Sequence, residues 1–399
     1  MKLGIIREGK VPPDSRVPLT PAQCRNILDH TDLEIAVEPS PNRAYSDAEY
    51  QELNISLQSD LDDCDILLGV KEVPIQQLLP NKTYFFFSHT IKEQVYNRKL
   101  LQAVLEKNIQ LIDYEVLTNE RGKRLIAFGR FAGMVGAHNA LFTYAQRTGT
   151  FPLQRMKDFH DYEEAKAAYQ QTHFPPVKIV LTGTGRVGSG AAEVLLDMGI
   201  HEVSPQDFLS KDYEEAVFTQ LLLPFYVARK SDNRFDKLEY YQHPDRYKSV
   251  FAPFTKVADI FINGIYWDNK APAFFSLDDM KQPEFKIQVI ADVTCDIAPV
   301  SSIPATIKAS TIADPIFGFD PQTGQETAPH QSHVIDMMTI DKLPNELPRD
   351  ASAAFGEQFI EHILPELQDP ESEVLERATV ALNGKLGPHF KYLQHYVSP

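Results

Sequence analysis

Lys71 and His89 each stand at the end of a short apolar run, residues 66–70 leading into the lysine and residues 83–88 into the histidine. In a parallel sheet such runs become strands, and functional groups are delivered at their carboxyl ends. An imidazole titrating near neutrality and an amine whose pKa is depressed by burial form a pair suited to moving protons at a carbon–nitrogen centre. Either residue alone also fits a bland role, as a surface lysine or a structural histidine. Their matched placement gives the chemical reading its weight. Both precede the glycine-rich turn Gly183-x-Gly185-x-x-Gly188, so acid/base chemistry is expected in an early lobe and nucleotide binding in a later one, with the reaction in the cleft.

The glycine turn follows an apolar run beginning at Val177 and precedes a helical pattern over 191–198. That is the context in which the motif binds a dinucleotide: small residues admit the pyrophosphate, and the helix N-terminus offers free N–H groups. Gly183, Gly185, Arg186, Val187 and Gly188 are the candidate contacts, Arg186 as a charged partner for phosphate. Asn263, Gly264, Asp292 and Asp296 close two later strands and are candidates too, with ordinary loop chemistry as the alternative. The acid expected about 20 residues beyond the turn, on the ribose hydroxyls, falls near Asp207. Asp207 follows Ser204-Pro205 and reads equally as the first turn of a helix. Arg229 and Lys230 read as a solvated charge pair rather than a 2′-phosphate site.

Candidates for holding an acidic substrate are Arg16, Lys92, Lys123 and Arg124, an arginine fork suiting a carboxylate best. Phe128 joins this substrate-binding set. Glu115, closing the strand over 109–114, either orients Lys71 or His89 or caps the next turn.

Positioning these groups requires strands over 3–6, 34–37, 66–70, 83–88 and 109–114, with an amphipathic helix over 97–107. This alternation implies an α/β fold with parallel sheets. A long small-residue helix over 130–147 bridges to the second lobe, residues 155–173 form a solvated helix, and residues 210–256 interrupt the strand rhythm as an insertion. The expected organisation is a substrate and catalytic domain from residues 1–130, a dinucleotide-binding domain from 131–330, and a return segment, 331–399, completing the first.

A net charge of -16 over 399 residues excludes a general nucleic-acid or membrane-surface binder, which needs a basic stripe. Cys24, Cys64 and Cys295 are too few and too scattered for a disulfide framework or a zinc site. No metal is expected. No secretion signal is visible and no apolar run nears the ~20 residues that span a bilayer, so a cytoplasmic location is expected.

The phrases Asp14-Ser-Arg-Val-Pro-Leu-Thr-Pro21, Gly69-Val-Lys-Glu-Val-Pro74, Phe87-Ser-His-Thr-Ile-Lys92 and the embedded glycine turn resemble the alanine dehydrogenase and saccharopine dehydrogenase superfamily. Within it, Leu111-Ile-Asp-Tyr-Glu115, His243-Pro-Asp-Arg-Tyr247, Ile262-Asn-Gly-Ile-Tyr-Trp267 and Ile340-Asp-Lys-Leu-Pro344 are similar to the lysine-ketoglutarate reductase domain of bifunctional aminoadipic semialdehyde synthases. The resemblance implies two Rossmann-like domains, the first discontinuous, and reductive condensation of L-lysine with 2-oxoglutarate to saccharopine. It implies acid/base roles for Lys71 and His89, carboxylate binding by Arg16 and Arg124, a tuning role for Glu115, and cofactor contacts at Gly185, Arg186 and Asp296. It favours NADP over NAD. The alternatives are an alanine dehydrogenase-like or other amino-acid or opine dehydrogenase, and a non-catalytic dinucleotide sensor.

Overall fold

Alternating burial of Leu3, Ile5, Ile66, Leu68 and Phe85 against one set of helices, and of Leu67, Tyr84, Phe86 and Leu111 against another, is the pattern of strands covered on both faces. The computed structural model describes residues 1–398, which divide into two compact units, Met1–Phe128 with the segment from Pro348 onward, and Gly129–Leu347. In the first unit the strands are β1 (Lys2–Ile5), β2 (Glu34–Val37), β3 (Ser56–Leu57), β4 (Ile66–Leu68), β5 (Thr83–Phe86) and β6 (Gln110–Asp113). They lie in the order β3-β2-β1-β4-β5-β6 and pair in parallel throughout, a doubly wound arrangement whose crossovers place helices on both faces. Helix Pro21–His30 opens with a capping box in which Thr20 and Gln23 satisfy each other's backbone N–H groups.

The second unit begins with the long helix Gly129–Thr148. It crosses helix Arg186–Asp197 so closely that a Cβ on Gly133 would lie 1.8 Å from the Val187 carbonyl oxygen. The strands that follow are β7 (Lys178–Thr182), β8 (His201–Glu202), β9 (Val217–Leu221), β10 (Val227–Arg229), β11 (Tyr247–Ser249), β12 (Ile260–Asn263), β13 (Val289–Asp292), β14 (Ile316–Asp320), β15 (Gln325–Thr327) and β16 (Ile335–Met338). The main sheet runs β8-β9-β7-β12-β13-β16 in parallel and is extended by antiparallel β14 and β15. The return segment then supplies helix Pro348–His362, β17 (Thr379–Leu382) and β18 (Lys385–Leu386), which extend the first sheet antiparallel to β6. Ser352 Oγ accepts the Val17 N–H at 2.9 Å, and Gln23 donates to the Ala353 carbonyl at 2.7 Å, tying this helix to the amino-terminal loops.

Several boundaries differ from those read in the sequence. The return begins at Pro348 rather than 331, because residues 335–338 form β16, a wholly buried strand of the second sheet. The insertion is shorter than 210–256: residues 217–221 form β9, paired with both β7 and β8, and only the hairpin β10–β11 with its flanking helices stands outside the main sheet. Charged residues before β9 and the leucine run after it blur its periodicity. Residues 155–173 contain a short helix, Tyr162–Tyr169, with Tyr162, Ala165 and Tyr169 buried, rather than a solvated one. Among the described residues no helix is long and apolar enough to cross a membrane.

Candidate functional sites in the two units

In the first unit β1, β4, β5 and β6 are consecutive neighbours, so the loops leaving their carboxyl ends meet at one edge. Those loops carry Glu8 to Arg16, Lys71 with Glu72, His89, and Glu115. His89 sits in the left-handed region, φ 52°, and its Nδ1 lies 2.6 Å from Glu72 Oε1. With Nδ1–H donating to that carboxylate, the lone pair falls on Nε2. Glu72 Oε2 accepts from Lys10 Nζ at 2.7 Å. Burial alone raises the Glu72 pKa, yet the His89 and Lys10 hydrogen bonds outweigh it and hold the carboxyl far below its ordinary range. Glu72 is therefore a carboxylate that fixes the imidazole, and it is the residue next to Lys71.

Burial of the Lys71 amine, followed by the Arg16 charge, lowers its pKa to about 8, with Asp14 and Glu72 opposing. Arg16 is 4% exposed and grips Asp14 through two bonds, Nε to Oδ1 at 2.9 Å and Nη2 to Oδ2 at 2.6 Å. Its guanidinium lies 4.3 Å from the Phe128 ring centroid, and Phe128 in turn stacks on Phe355. Arg16 is thus a preorganised fork held from behind by a carboxylate. Glu115 does not bond Lys71 or His89. Its Oε1 accepts from Lys92 and Arg124, each at 3.0 Å, while Asp113 accepts its N–H and caps the turn. Lys123 is exposed in the turn before Arg124, its N–H bonded to Asn119 Oδ1, and is not brought to this group.

In the second unit the glycines take three separate tasks. Gly183 has φ +95°, and a Cβ there would strike the Gly264 carbonyl oxygen at 2.4 Å. A Cβ on Gly188 would lie 2.0 Å from the Gly183 oxygen, whereas one on Gly185 would meet nothing within 4 Å. The first allows the turn and the third lets the helix pack on the strand. The middle one leaves the backbone open to a ligand, the division of labour a pyrophosphate cradle requires. The helix starts at Arg186, not 191, so its free N–H groups belong to the turn itself, and Val187 packs beside Gly264.

Asn263 and Asp292, expected as cofactor contacts, are fully buried and spend their polar atoms internally. Asn263 accepts from Thr182 and donates to Asp292 and Ser302, and Asp292 also accepts from Thr294 and Thr306. They cross-link the ends of β7, β12 and β13. Asp296 follows them in the loop after β13, its N–H directed to Thr294 Oγ1. Asp207 lies in the first turn of helix Pro205–Ser210, capped by Ser204 and paired with Lys211 at 2.9 Å. Arg229 pairs with Glu239 at 3.2 Å.

Two substitutions separate these glycine roles. Gly185→Ala is expected to leave the melting temperature within about 2 °C while weakening dinucleotide binding at least about tenfold, since the new methyl enters only the space a ligand would use. Gly188→Ala should destabilise the unit itself. Calorimetry with and without dinucleotide checks both.

Residues 4–135 match the family model described as alanine dehydrogenase/PNT, N-terminal domain. The chain is 30% identical to an alpha-aminoadipic semialdehyde synthase of Arabidopsis thaliana, over 98% of this chain and 41% of that protein. It is 31% identical to the mitochondrial alpha-aminoadipic semialdehyde synthase of Mus musculus, over 96% and 46%. A saccharopine dehydrogenase (NAD+, L-lysine-forming) of Emericella nidulans is 28% identical, over 96% of both chains. The chain is a homologue of these proteins. It spans less than half the length of the two synthase homologues and nearly all of the dehydrogenase homologue. Among solved structures, an L-alanine dehydrogenase superposes with a TM-score of 0.64 at 13% identity over the whole of both chains. A transhydrogenase from Sinorhizobium meliloti gives 0.58 at 12% identity, over 98% of this chain and 100% of that one. These two likenesses establish a shared Rossmann-like α/β fold.

The sequence reading missed Glu8, Lys10 and the role of Glu72. Glu72 carried a usable signal: parallel neighbours β4 and β5 end beside each other, so the residue after Lys71 is placed to meet His89.

Proposed function

We propose that the chain is an NAD(P)-dependent oxidoreductase acting on a CH–NH bond, condensing L-lysine with 2-oxoglutarate and reducing the imine to saccharopine, reversibly. The observation that carries this reading is the Glu72–His89 contact of 2.6 Å, which binds the imidazole to the residue adjoining Lys71. Two proton-moving groups are thereby held on neighbouring loops, one an amine with a pKa of about 8.

A bound nicotinamide dinucleotide supplies the hydride that reduces the carbon–nitrogen double bond, and the residues of the glycine turn would hold its pyrophosphate. The protein's own groups manage the protons. Attack of the neutral lysine ε-amine on the keto carbon gives a carbinolamine. Its hydroxyl must be protonated to leave as water, a task we assign to His89, whose Nε2 first takes the proton shed by the attacking nitrogen and then delivers it to that hydroxyl. Lys71 takes the proton lost from nitrogen as the imine forms, and returns one as the secondary amine is made. Saccharopine carries three carboxylates, and Arg16, Lys92 and Arg124 are the cations proposed to receive them, which lets an acidic protein bind an acidic product.

NADP is the favoured cofactor. Parallel β9, beside β7, ends at Gln220-Leu221 and runs on as Leu-Leu-Pro, without a carboxylate where a ribose 2′-hydroxyl is commonly gripped. Asp207 is committed to its helix. The test is spectrophotometric. NADPH oxidation is expected only when lysine and 2-oxoglutarate are both present, with kcat/KM greater for NADPH than for NADH. Turnover of pyruvate and ammonia in their place would make the chain an alanine dehydrogenase-like enzyme, and dinucleotide binding without turnover of any pair would make it a sensor.

A further inference from the structure

The loop leaving β1 carries a carboxylate that the proton transfers above do not use. Glu8 Oε1 accepts the backbone N–H of Val70 at 2.6 Å, and its Oε2 accepts that of Lys71 at 2.9 Å. These are successive amides at the exit of β4, and the second belongs to the residue whose amine is assigned the nitrogen chemistry. The fit is close. A Cβ on Gly69 would lie 2.8 Å from Ile6 Cδ1 and in ordinary contact, 3.5 Å, with Glu8 Oε1, so residue 69 has no room for a side chain beside the carboxylate. Burial, followed by the Asp14 charge, raises the Glu8 pKa to about 8 against the pull of both N–H bonds.

A shielded charge is costly to keep, so Glu8 is ionised chiefly above about pH 8, and the ionised form gives the clamp two full acceptor atoms on one short planar group. A glutamine side chain has one accepting oxygen and satisfies one amide only. Fixing the peptide planes on either side of Val70 fixes the φ and ψ of that residue, and so the place of the Lys71 nitrogen and Cα. That anchor matters for a long, flexible side chain whose amine must reach one spot.

We infer that Glu8 is a positioning residue, its carboxylate clamping the amides of Val70 and Lys71 and so anchoring the backbone from which the Lys71 amine reaches. The inference deepens the proposed function and rests on its assignment of Lys71.

The test uses the full chain. Above about pH 8, where Glu8 is ionised, Glu8→Gln is expected to lower kcat for lysine, 2-oxoglutarate and NADPH by about ten- to hundredfold, the scale on which small misplacements act, with KM values changed less than about threefold. In a Lys71→Met background the same substitution should lower kcat less than about twofold, because groups acting through one another are not additive. A merely structural role predicts equal losses in both backgrounds. Glu8→Asp, which keeps the charge but shortens the reach, is run beside it and should lose kcat as well, so that a folding defect peculiar to the amide does not decide the result. Hydrogen exchange at the Val70 and Lys71 amides supplies a readout independent of substrate, and exchange should quicken in Glu8→Gln. Quickened exchange in a protein that turns over no lysine would support the clamp and sink the substrate assignment. Unchanged exchange, an unchanged kcat, or equal losses in the two backgrounds would overturn the clamp.

Discussion

Lys71→Met is expected to lower kcat by about 10²–10⁴-fold, the range for loss of a positioned general acid or base, and at the same time to make the protein more stable at pH 7. The two effects have one cause. The folded-state pKa of Lys71 is about 8, below the ~10.4 of an unfolded lysine. The unfolded chain therefore holds the proton more tightly, and the buried ammonium is a destabilising element. That penalty is fully present below about pH 8 and disappears as pH rises past ~10.4. Methionine keeps most of the apolar stem and has no charge to bury, so the variant should melt above the parent at pH 7 and with it near pH 10.5. Scanning calorimetry across that range, beside steady-state kinetics, checks both halves. An inactive variant that also melts lower at pH 7 would mark Lys71 as structural.

His89→Ala should behave oppositely in stability while also losing activity, with kcat down about 10²–10³-fold. Removing the imidazole deprives Glu72 of the first of the interactions that hold its carboxyl low, leaving Lys10 and a backbone N–H. A carboxylate with a depressed folded pKa contributes stability that is present above its unfolded value of ~4.3 and lost as pH falls through the folded one. The variant is accordingly less stable than the parent at pH 7, by about 1–3 kcal/mol for a hydrogen bond to a charged group. The difference should shrink as pH drops below ~4.3. Urea titrations at pH 7 and about pH 2, well below the unfolded value of ~4.3, measure the change. A stability loss of the same size at both values would locate the effect outside the Glu72–His89 pair.

The glycine turn and the early strands were legible because each depends on local rules. Residues 34–37 form a strand with the bounds expected, and the strands ending before Lys71 and His89 shorten by only two residues each, Ile66–Leu68 and Thr83–Phe86. Strand β9 was hidden inside the supposed insertion, since Val217–Leu221 is a buried central strand and shows no alternation to mark it. The fate of Asn263 and Asp292 was equally illegible. Both end strands where ligands commonly bind, and only the three-dimensional neighbourhood of Thr182, Ser302 and Thr306 shows that their polar atoms are already satisfied. Ile335–Met338 joined the second sheet rather than the return segment through pairing with residues 289–291, a long-range choice that composition does not record.

Sequence alone determined which chemical groups the chain has and where along it they fall: a lysine and a histidine at strand ends, three spaced glycines, and a handful of cations in an acidic protein. It could do so because strand periodicity, turn stereochemistry and the chemical identity of each side chain are properties of short stretches. Tertiary structure alone decided the partnerships: Glu72 with His89, Asp14 with Arg16, Glu115 with Lys92 and Arg124, and Glu8 with the amides of Val70 and Lys71. Most of these join loops separated in the chain and brought together by the parallel order of β1, β4, β5 and β6. The energy of a buried charge depends on the groups within a few ångströms of it, and that neighbourhood exists only once the sheet has formed.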